Sequence, residues 1–237
     1  MADKIRYTYL SFFQALQYIT ENGCKWRALP EKFGNWNSIY SRFRYWSAAG
    51  VFDRIAKYFM LQAIVIKGVT TLSLDSTHVK VHPNGTGAPK RHGPQSIGKS
   101  VGGWTTKIHS IVSDENLPIV RLLSPGSAAD DPEGQELMEQ VPKALCKGKP
   151  LLMDKAYEGD KCRMKAQECG MLPVVPPKKN RVNPWDYCKD LYKGRNVVER
   201  NFRKIKEFRR VYTRYDKLDE TYAAFIAFAS IVIFMKN

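Results

Sequence analysis

The stretch "TLSLDSTHVKVH", residues 71–82, most restricts what this chain can fold into. Apolar or β-branched residues alternate with polar ones, and this period of two predicts a β-strand. Further strands are predicted on both sides of a turn at Asp114–Asn116 and at Lys149–Asp154, with a helix between them. An aspartate is predicted to cap that helix, and Pro132 fits its first turn. The succession predicts an α/β domain built on a mixed sheet.

Residues 1–66 have a different pattern, which predicts three short amphipathic helices. "SFFQ", residues 11–14, predicts a capping box at the start of the first helix. The second helix is predicted to begin near Asn35 and the third after Gly50. Cations interleave with the aromatic residues here: Lys25, Arg27, Lys32, Arg42 and Arg44. Such a bundle fits either a helix-turn-helix DNA-binding module or a packing and dimerisation bundle.

The charge of the chain points to its partner. There are 38 lysines and arginines against 23 acids, a net charge of +15. This excess predicts a polyanionic partner, most often nucleic acid, although a basic surface without a special partner stays an alternative. The apolar tail, residues 223–235, is shorter than the about 17 residues that a membrane span needs. We therefore expect a buried helix there and no membrane.

The cysteines and the first residues of the chain indicate the cellular compartment of the protein. The five cysteines form no C-x-x-C pair, which predicts free thiols in a reducing compartment. The first residues do not resemble a signal peptide. A cytoplasmic location is expected.

Two aspartates stand at positions where chemistry is plausible. Asp75 is in mid-strand, where aspartate is disfavoured, so it is either solvent-facing or functional. Asp154 closes a buried strand, at the edge where α/β sheets place their sites, or it simply starts a turn. Taken alone, each residue favours the structural interpretation, a solvent-facing strand residue for Asp75 and the start of a turn for Asp154.

A third acid, Glu199, lies inside the basic stretch "YKGRNVVERNFRKIK", residues 192–206. With Asn196 it fits a capping box. It also shares a helix face with Arg203 and Lys206, at i+4 and i+7. A cap does not need those cations, whereas a site for a metal ion beside a phosphate backbone does.

The spacing Tyr192-x2-Arg195-x3-Glu199-x6-Lys206 resembles the "YREK" signature of bacterial insertion-sequence transposases. The resemblance is to the insertion-sequence-four/five supergroup, and within it to the insertion-sequence-five family. Further blocks are similar to that family: "GCKWRALP", "WNSIYSRFRYW", "LDSTHVKVH", "GGWTTKIH", "LLMDKAY" and "RRVYTRYDKL". Family members commonly carry an additional stretch before "GCKWRALP", which predicts a shortened N-terminal module. They also usually have an arginine where this chain has Val101.

The resemblance implies a ribonuclease-H-like mixed sheet with flanking helices, preceded by a small helix-turn-helix-like module. It divides the chain into a DNA-binding module, residues 1–66, and a DDE catalytic domain, residues 67–237. The implied catalytic residues and metal ligands are Asp75, Asp154 and Glu199. The predicted DNA contacts are Tyr192, Arg195, Arg203, Lys206, Lys107, Arg42 and Arg44.

Three clustered carboxylates would repel one another and raise their own pKa values unless cations compensate them. Mg²⁺ suits such oxygen ligands, and two ions are expected, with Mn²⁺ able to substitute. The implied reaction is hydrolysis at a transposon end, followed by attack of the 3′-hydroxyl on target DNA. Lys206 would hold a phosphate near the cut, and Tyr192 and Arg195 would position the terminal nucleotides.

The expected partner is double-stranded DNA, both transposon ends and target, bound by a homodimer that assembles on it in the bacterial cytoplasm at the nucleoid. The four histidines are read as solvent or DNA contacts: His78, His82, His92 and His109. Two other functions stay open. One is a non-catalytic DNA-binding remnant or domesticated derivative of a transposase, and the other is a two-metal nuclease unrelated to transposition.

Overall fold

The computed structural model describes residues 8–236. The helices are α1 (Tyr9–Asn22), α2 (Trp36–Ala48), α3 (Val51–Lys67), α4 (Asp130–Glu139), α5 (Lys143–Cys146), α6 (Asp160–Glu168), α7 (Lys189–Lys193), α8 (Asn196–Lys206), α9 (Arg209–Tyr212) and α10 (Asp219–Lys236). The strands are β1 (Leu72–Val81), β2 (Gly98–Ser100), β3 (Gly103–Ser113), β4 (Pro118–Pro125), β5 (Pro150–Met153), β6 (Leu172–Val174) and β7 (Thr213–Arg214).

These elements form two compact units. The helical unit comprises the N-terminal segment to Ala56, Lys80–Gln95 and the C-terminal segment from Lys204, and the sheet unit comprises Lys57–Val79 and Ser96–Arg203. The N-terminal helices thus share a unit with two later segments, and these units do not coincide with a division at residue 66. That predicted division stays a prediction, and its residues 1–7 lie outside the described part of the chain.

In the helical unit, the N-cap of α1 lies three residues before the predicted one. Thr8 is the N-cap: its side chain accepts from the Ser11 N–H, and the Ser11 side chain accepts from the Thr8 N–H. The prediction of Ser11 as the cap was wrong, because the T-x-x-S pair completes the reciprocal bonds one turn earlier. The helix ends at Gly23, whose φ of 65° is the left-handed conformation that glycine adopts without strain.

The core of the helical unit is aromatic and centred on α10. Phe43 of α2 lies 4.5 Å from Phe225 of α10, and Phe13 of α1 stacks on Phe228 at 6.1 Å. Most residues of α10 from Thr221 to Val232 are buried, so the predicted buried helix is confirmed. In residues 8–236 no helix is long and apolar enough to cross a membrane.

The sheet unit is built on the order β2-β3-β1-β5-β6, with β4 also paired to β3. β3 and β4 form an antiparallel hairpin, whereas β5 runs parallel to β1 and β6 parallel to β5. The mixed sheet with flanking helices confirms the predicted α/β class, and the ribonuclease-H-like form of the sheet stays a prediction. The sequence predicted two strands around a turn and further strands separated by a helix. The first arrangement is typical of antiparallel strands and the second of parallel strands.

Helix α4 lies close against the sheet beside the end of β5. A β-carbon on Gly134 would come within 2.7 Å of the Tyr157 ring, so the close approach requires glycine. The N-cap of α4 is Ala129, whose side chain makes no capping bond. The predicted aspartate cap was therefore wrong, because the Asp130 carboxylate instead accepts from Lys107 and Ser76.

Candidate active site

The two predicted catalytic aspartates lie where the pairing of two parallel strands ends, close enough for their charges to interact. Leu74 of β1 pairs with Met153 of β5 in parallel register, so the next residues along the two strands are Asp75 and Asp154. Both carboxylates are fixed by their own backbone turns: Asp75 accepts from the Ser76 N–H at 2.8 Å, and Asp154 accepts from the Lys155 N–H at 2.7 Å. This edge, after the carboxyl ends of parallel strands, is where α/β sheets hold their ligands.

The third acid is linked to the first by an arginine. Arg195 donates from Nη1 to Asp75 Oδ2 at 2.7 Å and from Nη2 to Glu199 Oε1 at 2.7 Å. One guanidinium thus bridges two carboxylates that lie 124 positions apart in the sequence. Glu199 does not form the capping box with Asn196, because Asn196 Oδ1 accepts from Arg200 and the Glu199 carboxylate accepts from Arg195.

The electrostatics of Asp75 reflect this crowding. Burial raises the pKa of its carboxyl, and the negative charge of Asp154 raises it further. The Ser76 N–H and the Arg195 guanidinium act in the opposite direction. A cation beside Asp75 therefore favours its ionised form, and Arg195 supplies that cation here.

The chemistry of the donor set fits a divalent cation. Three carboxylates that project from one sheet edge and an adjoining helix offer the oxygen ligands that Mg²⁺ prefers. Within residues 8–236, no group of three histidine, cysteine, aspartate or glutamate side chains is close enough to hold a metal ion. The Arg195 side chain lies between Asp75 and Glu199, so the three acids can share an ion only after that bridge opens.

Two predicted DNA contacts flank this cluster in the sheet unit. The Tyr192 ring is half-buried, with its centroid 5.8 Å from the Arg195 guanidinium carbon, and burial raises the pKa of its hydroxyl. Arg203 is exposed on α8, one turn beyond Glu199. Both positions suit contacts to a phosphate backbone, and their DNA roles stay predictions.

Three further predicted DNA contacts belong to the helical unit. Lys206 is the last residue of α8 and half-buried, and burial lowers the pKa of its ammonium. Arg42 lies over the Tyr9 ring at 5.3 Å, whereas Arg44 on the same helix is exposed. Nothing in these contacts tests their predicted roles.

Lys107 lies in a buried polar network next to the site. Its side chain is only 8% exposed, and its ammonium donates to Asp130 Oδ1 at 3.0 Å and to the Ala128 carbonyl at 2.7 Å. Asp130 also accepts from the Ser76 hydroxyl at 2.9 Å, and Ser76 directly follows Asp75. In this position Lys107 faces the protein interior, and its predicted contact with DNA stays untested.

The sequence interpretation missed Ser76 and Asp130. The signal available was the pair of aspartates in "DDPEG", which indicated only a helix start. Nothing local in the sequence brings Asp130 to Ser76, which lies 54 positions away, because that contact depends on how α4 packs on the sheet.

The interpretation of His109 as a solvent or DNA contact was wrong. Its side chain is fully buried, and its Nε2 lies 2.8 Å from the Ser124 hydroxyl. Burial lowers its pKa to about 4; Asp130 raises it in part, and Lys107 and His78 lower it. Strand β3 is buried on both faces from Thr105 onward, so alternation could not indicate which residues face solvent.

We expect His109 to make the protein less stable in acid. Its pKa is lower in the folded than in the unfolded state, so the unfolded state binds more protons as the pH falls from 6.5 towards 4. Between pH 6.5 and 5 the loss is at most about 2 kcal/mol. Urea unfolding at both pH values measures this loss in the free energy of unfolding. The His109→Gln variant should lose less free energy of unfolding than wild type over the same pH range. Equal losses in the two proteins would contradict this origin.

The sequence is similar to proteins that are described as transposases. Residues 68–234 match the family model described as "Transposase DDE domain", and residues 4–56 match the model described as "Putative transposase of IS4/5 family". A protein of Brucella ovis named "Putative transposase for insertion sequence element IS6501" is 28% identical over 138 residues, which cover 56% of this chain and 99% of that protein.

Two other proteins are also similar to this chain. The uncharacterized protein y4sN of Sinorhizobium fredii is 30% identical over 82 residues, or 35% of this chain, and the chain spans 62% of that relative's length. A crystal structure of a pre-cleavage Mos1 transpososome is 12% identical, with 94% of this chain and 77% of that chain covered at a TM-score of 0.26, too low to carry an argument. The first family model alone matches well over half of the sequence, so the chain belongs to the family of transposase DDE domains.

Proposed function

We propose that this protein cleaves DNA at the ends of an insertion sequence and transfers the freed 3′ ends into target DNA, with Asp75, Asp154 and Glu199 as its catalytic carboxylates. The observation that carries the proposal is that Asp75 and Asp154 directly follow the paired residues Leu74 and Met153 of two parallel strands, with Glu199 joined to Asp75 through Arg195. Membership of the family supports transposition and DNA binding in general. The residues, the individual steps and the metal belong to the proposal.

Asp75, Asp154 and Glu199 would hold Mg²⁺, with Mn²⁺ as a substitute. When bound, the ions lower the pKa of the attacking water or 3′-hydroxyl and stabilise the leaving oxygen. For Glu199 to take part, Arg195 has to release one or both carboxylates. A phosphate of the DNA is a suitable new partner for it, since guanidinium groups bind phosphates and carboxylates with the same paired geometry.

The other residues near the carboxylates either contact the DNA or support the strand that carries Asp75. Arg203 is exposed one turn beyond Glu199 and suits a backbone phosphate, and Tyr192 beside Arg195 suits a terminal nucleotide. Lys206 completes the signature and is proposed to hold a phosphate near the cut. Lys107 keeps its ion pair to Asp130 and, through Ser76, fixes the strand that carries Asp75. Assembly as a homodimer on DNA and a cytoplasmic, nucleoid-associated location are parts of the same proposal, and only the family resemblance supports them.

Incubating the protein with labelled DNA that carries the inverted repeats flanking its coding region tests the proposal. We expect Mg²⁺-dependent nicks at the repeat ends and, with a target plasmid added, joined products. The Asp154→Asn variant should form neither product yet retain DNA binding. Binding to the repeats with no cleavage by wild type in Mg²⁺ or Mn²⁺ would instead support the non-catalytic derivative. Cleavage that ignores the repeats and never yields joined products would support an unrelated nuclease.

A further inference from the structure

A cavity of about 420 Å³ lies within the helical unit, and none of the carboxylates assigned to catalysis lines it. This volume falls in the range of about 300–1,000 Å³ found for sites that bind small molecules. Its walls come from the N-terminal helices, from the segment around Ala88 and from residues 210–221. Side chains of two kinds dominate the lining: the aromatic rings of Trp26, Tyr40 and Tyr215, and the basic groups of Arg44, His92, Arg210 and Lys217.

The aromatic wall is held in place from behind. The Trp26 ring lies 5.1 Å from Tyr40 and 5.2 Å from Phe43, between centroids, and Phe43 is buried in the core. Tyr215 lies 4.9 Å from the His82 ring. The three lining rings are half-buried, so each keeps part of its surface open while its position is fixed. Rigid, partly open aromatic rings are the surfaces on which nucleic-acid bases stack.

The charges in the cavity are unevenly paired. Arg210 is buried and donates to both carboxylate oxygens of Asp216, at 3.2 and 3.0 Å, so these two charges neutralise each other. Arg44 and Lys217 are exposed, and within residues 8–236 neither side chain has a hydrogen bond or an ion pair. Two cations without partners therefore border an aromatic cavity whose acid is already neutralised, which favours an anionic ligand.

We propose that this cavity binds one nucleotide, with its base against Trp26 and Tyr215 and its phosphate at Arg44 and Lys217. A ligand that combines an aromatic ring with a negative charge matches both halves of the lining. The inference rests on the proposed function, under which the protein acts on DNA. Bases inside a duplex present only their edges, so the nucleotide has to be unpaired, either in a single-stranded segment or free in solution.

Binding of the full-length protein to two labelled oligonucleotides of equal length tests the inference. One is oligothymidine and the other has the same backbone without bases. The oligonucleotide with bases should bind about tenfold more tightly, because stacking of one base contributes about 1–3 kcal/mol and 1.4 kcal/mol is a factor of ten. Tyr215→Leu should reduce that preference, and Tyr215→Phe should keep it. Tyr212→Leu is the matched control, because Tyr212 is exposed and does not line the cavity.

The phosphate half has its own readout. Arg44→Gln and Lys217→Gln should weaken binding of both oligonucleotides equally and make binding less dependent on salt, because each removes a phosphate contact. Competition by thymidine monophosphate would identify a free nucleotide as a ligand, and no competition would favour a nucleotide within a strand; both agree with the inference.

Equal affinity of wild type for the two oligonucleotides, together with no competition by the monophosphate, would overturn it. Circular dichroism checks that each variant is folded. If Tyr215→Leu does not fold, the affinities of wild type for the two oligonucleotides still test the inference. The cleavage assay on end DNA separates the two proposals. Mg²⁺-dependent cleavage with neither a preference for bases nor competition by the monophosphate would reject this inference alone, whereas loss of cleavage with the preference retained would reject only the catalytic proposal.

Discussion

Glu199→Gln is expected to abolish Mg²⁺-dependent strand cleavage, lowering the rate about a thousandfold or more. The substitution keeps the shape of the side chain but removes the charge that would bind a metal ion. Such ions contribute several kcal/mol to stabilising a transition state, and each 1.36 kcal/mol is a factor of ten in rate. Affinity for end DNA should stay equal or rise slightly, because one negative charge facing phosphate is gone. Single-turnover cleavage and a binding titration on the same labelled end measure the two effects.

Glu207→Gln serves as the matched control for that variant. It removes the same charge from an exposed residue just beyond the end of α8 and should cleave like wild type. A purely structural Glu199 predicts a different pattern: a loss of stability of about 1 kcal/mol, as for a helix cap, with cleavage per folded molecule preserved. Full activity in Glu199→Gln would remove this residue from the catalytic set.

Arg195→Gln is expected to destabilise the metal-free protein by about 2 kcal/mol and to make its stability depend on Mg²⁺. Without the guanidinium, Asp75 loses its ionic partner while 18% exposed, and removing one partner of a buried ion pair costs about 3–5 kcal/mol. The expected destabilisation is smaller than that range because the Glu199 side chain is 45% exposed and water screens its ion pair with Arg195. Thermal unfolding in EDTA and in Mg²⁺ should show a larger stabilisation by the metal in the variant than in wild type.

Lys193→Gln is the control for Arg195→Gln. Lys193 pairs with Asp190 on the surface, where both side chains are more than three-quarters exposed, so its loss should cost less than about 1 kcal/mol and leave the response to Mg²⁺ unchanged. If Arg195→Gln is as stable as wild type in EDTA, and Mg²⁺ stabilises both proteins equally, the arginine does not compensate the carboxylates.

The neighbouring positions of Asp75 and Asp154 could be predicted from the sequence. Each follows or lies within an apolar run that reads as a strand, and parallel strands bring such acids to one edge of a sheet. The mixed sheet and the buried C-terminal helix were predictable for similar reasons, since alternation and unbroken apolar runs are local patterns. The family resemblance added Glu199, which its own surroundings left equally consistent with a cap.

The side-chain partners could not be predicted. Arg195 reaches Asp75 across 120 positions, and only the packing of α8 against the sheet brings them together. Lys107 stands among polar residues in "WTTKIH" and suggests an exposed cation, yet β3 is covered on both faces and its ammonium is bound by Asp130. The first helix cap was misplaced because Ser11 and Gln14 fit the usual S/T-x-x-E/Q pattern, whereas the structure uses Thr8 as the cap with Ser11 as its reciprocal partner.

Under the proposed function, Asp75, Asp154 and Glu199 jointly bind the metal ions with which the protein cleaves DNA. The most direct measurement is an anomalous-difference map from crystals of the protein with end DNA and Mn²⁺. We expect a manganese peak about 2.1 Å from the carboxylate oxygens of Asp75 and Asp154. Arg195 should have moved away from Glu199, and the Glu199 carboxylate should have turned towards an ion. Manganese bound elsewhere, or a DNA complex with Arg195 still bridging Asp75 and Glu199 and no metal at the aspartates, would contradict it.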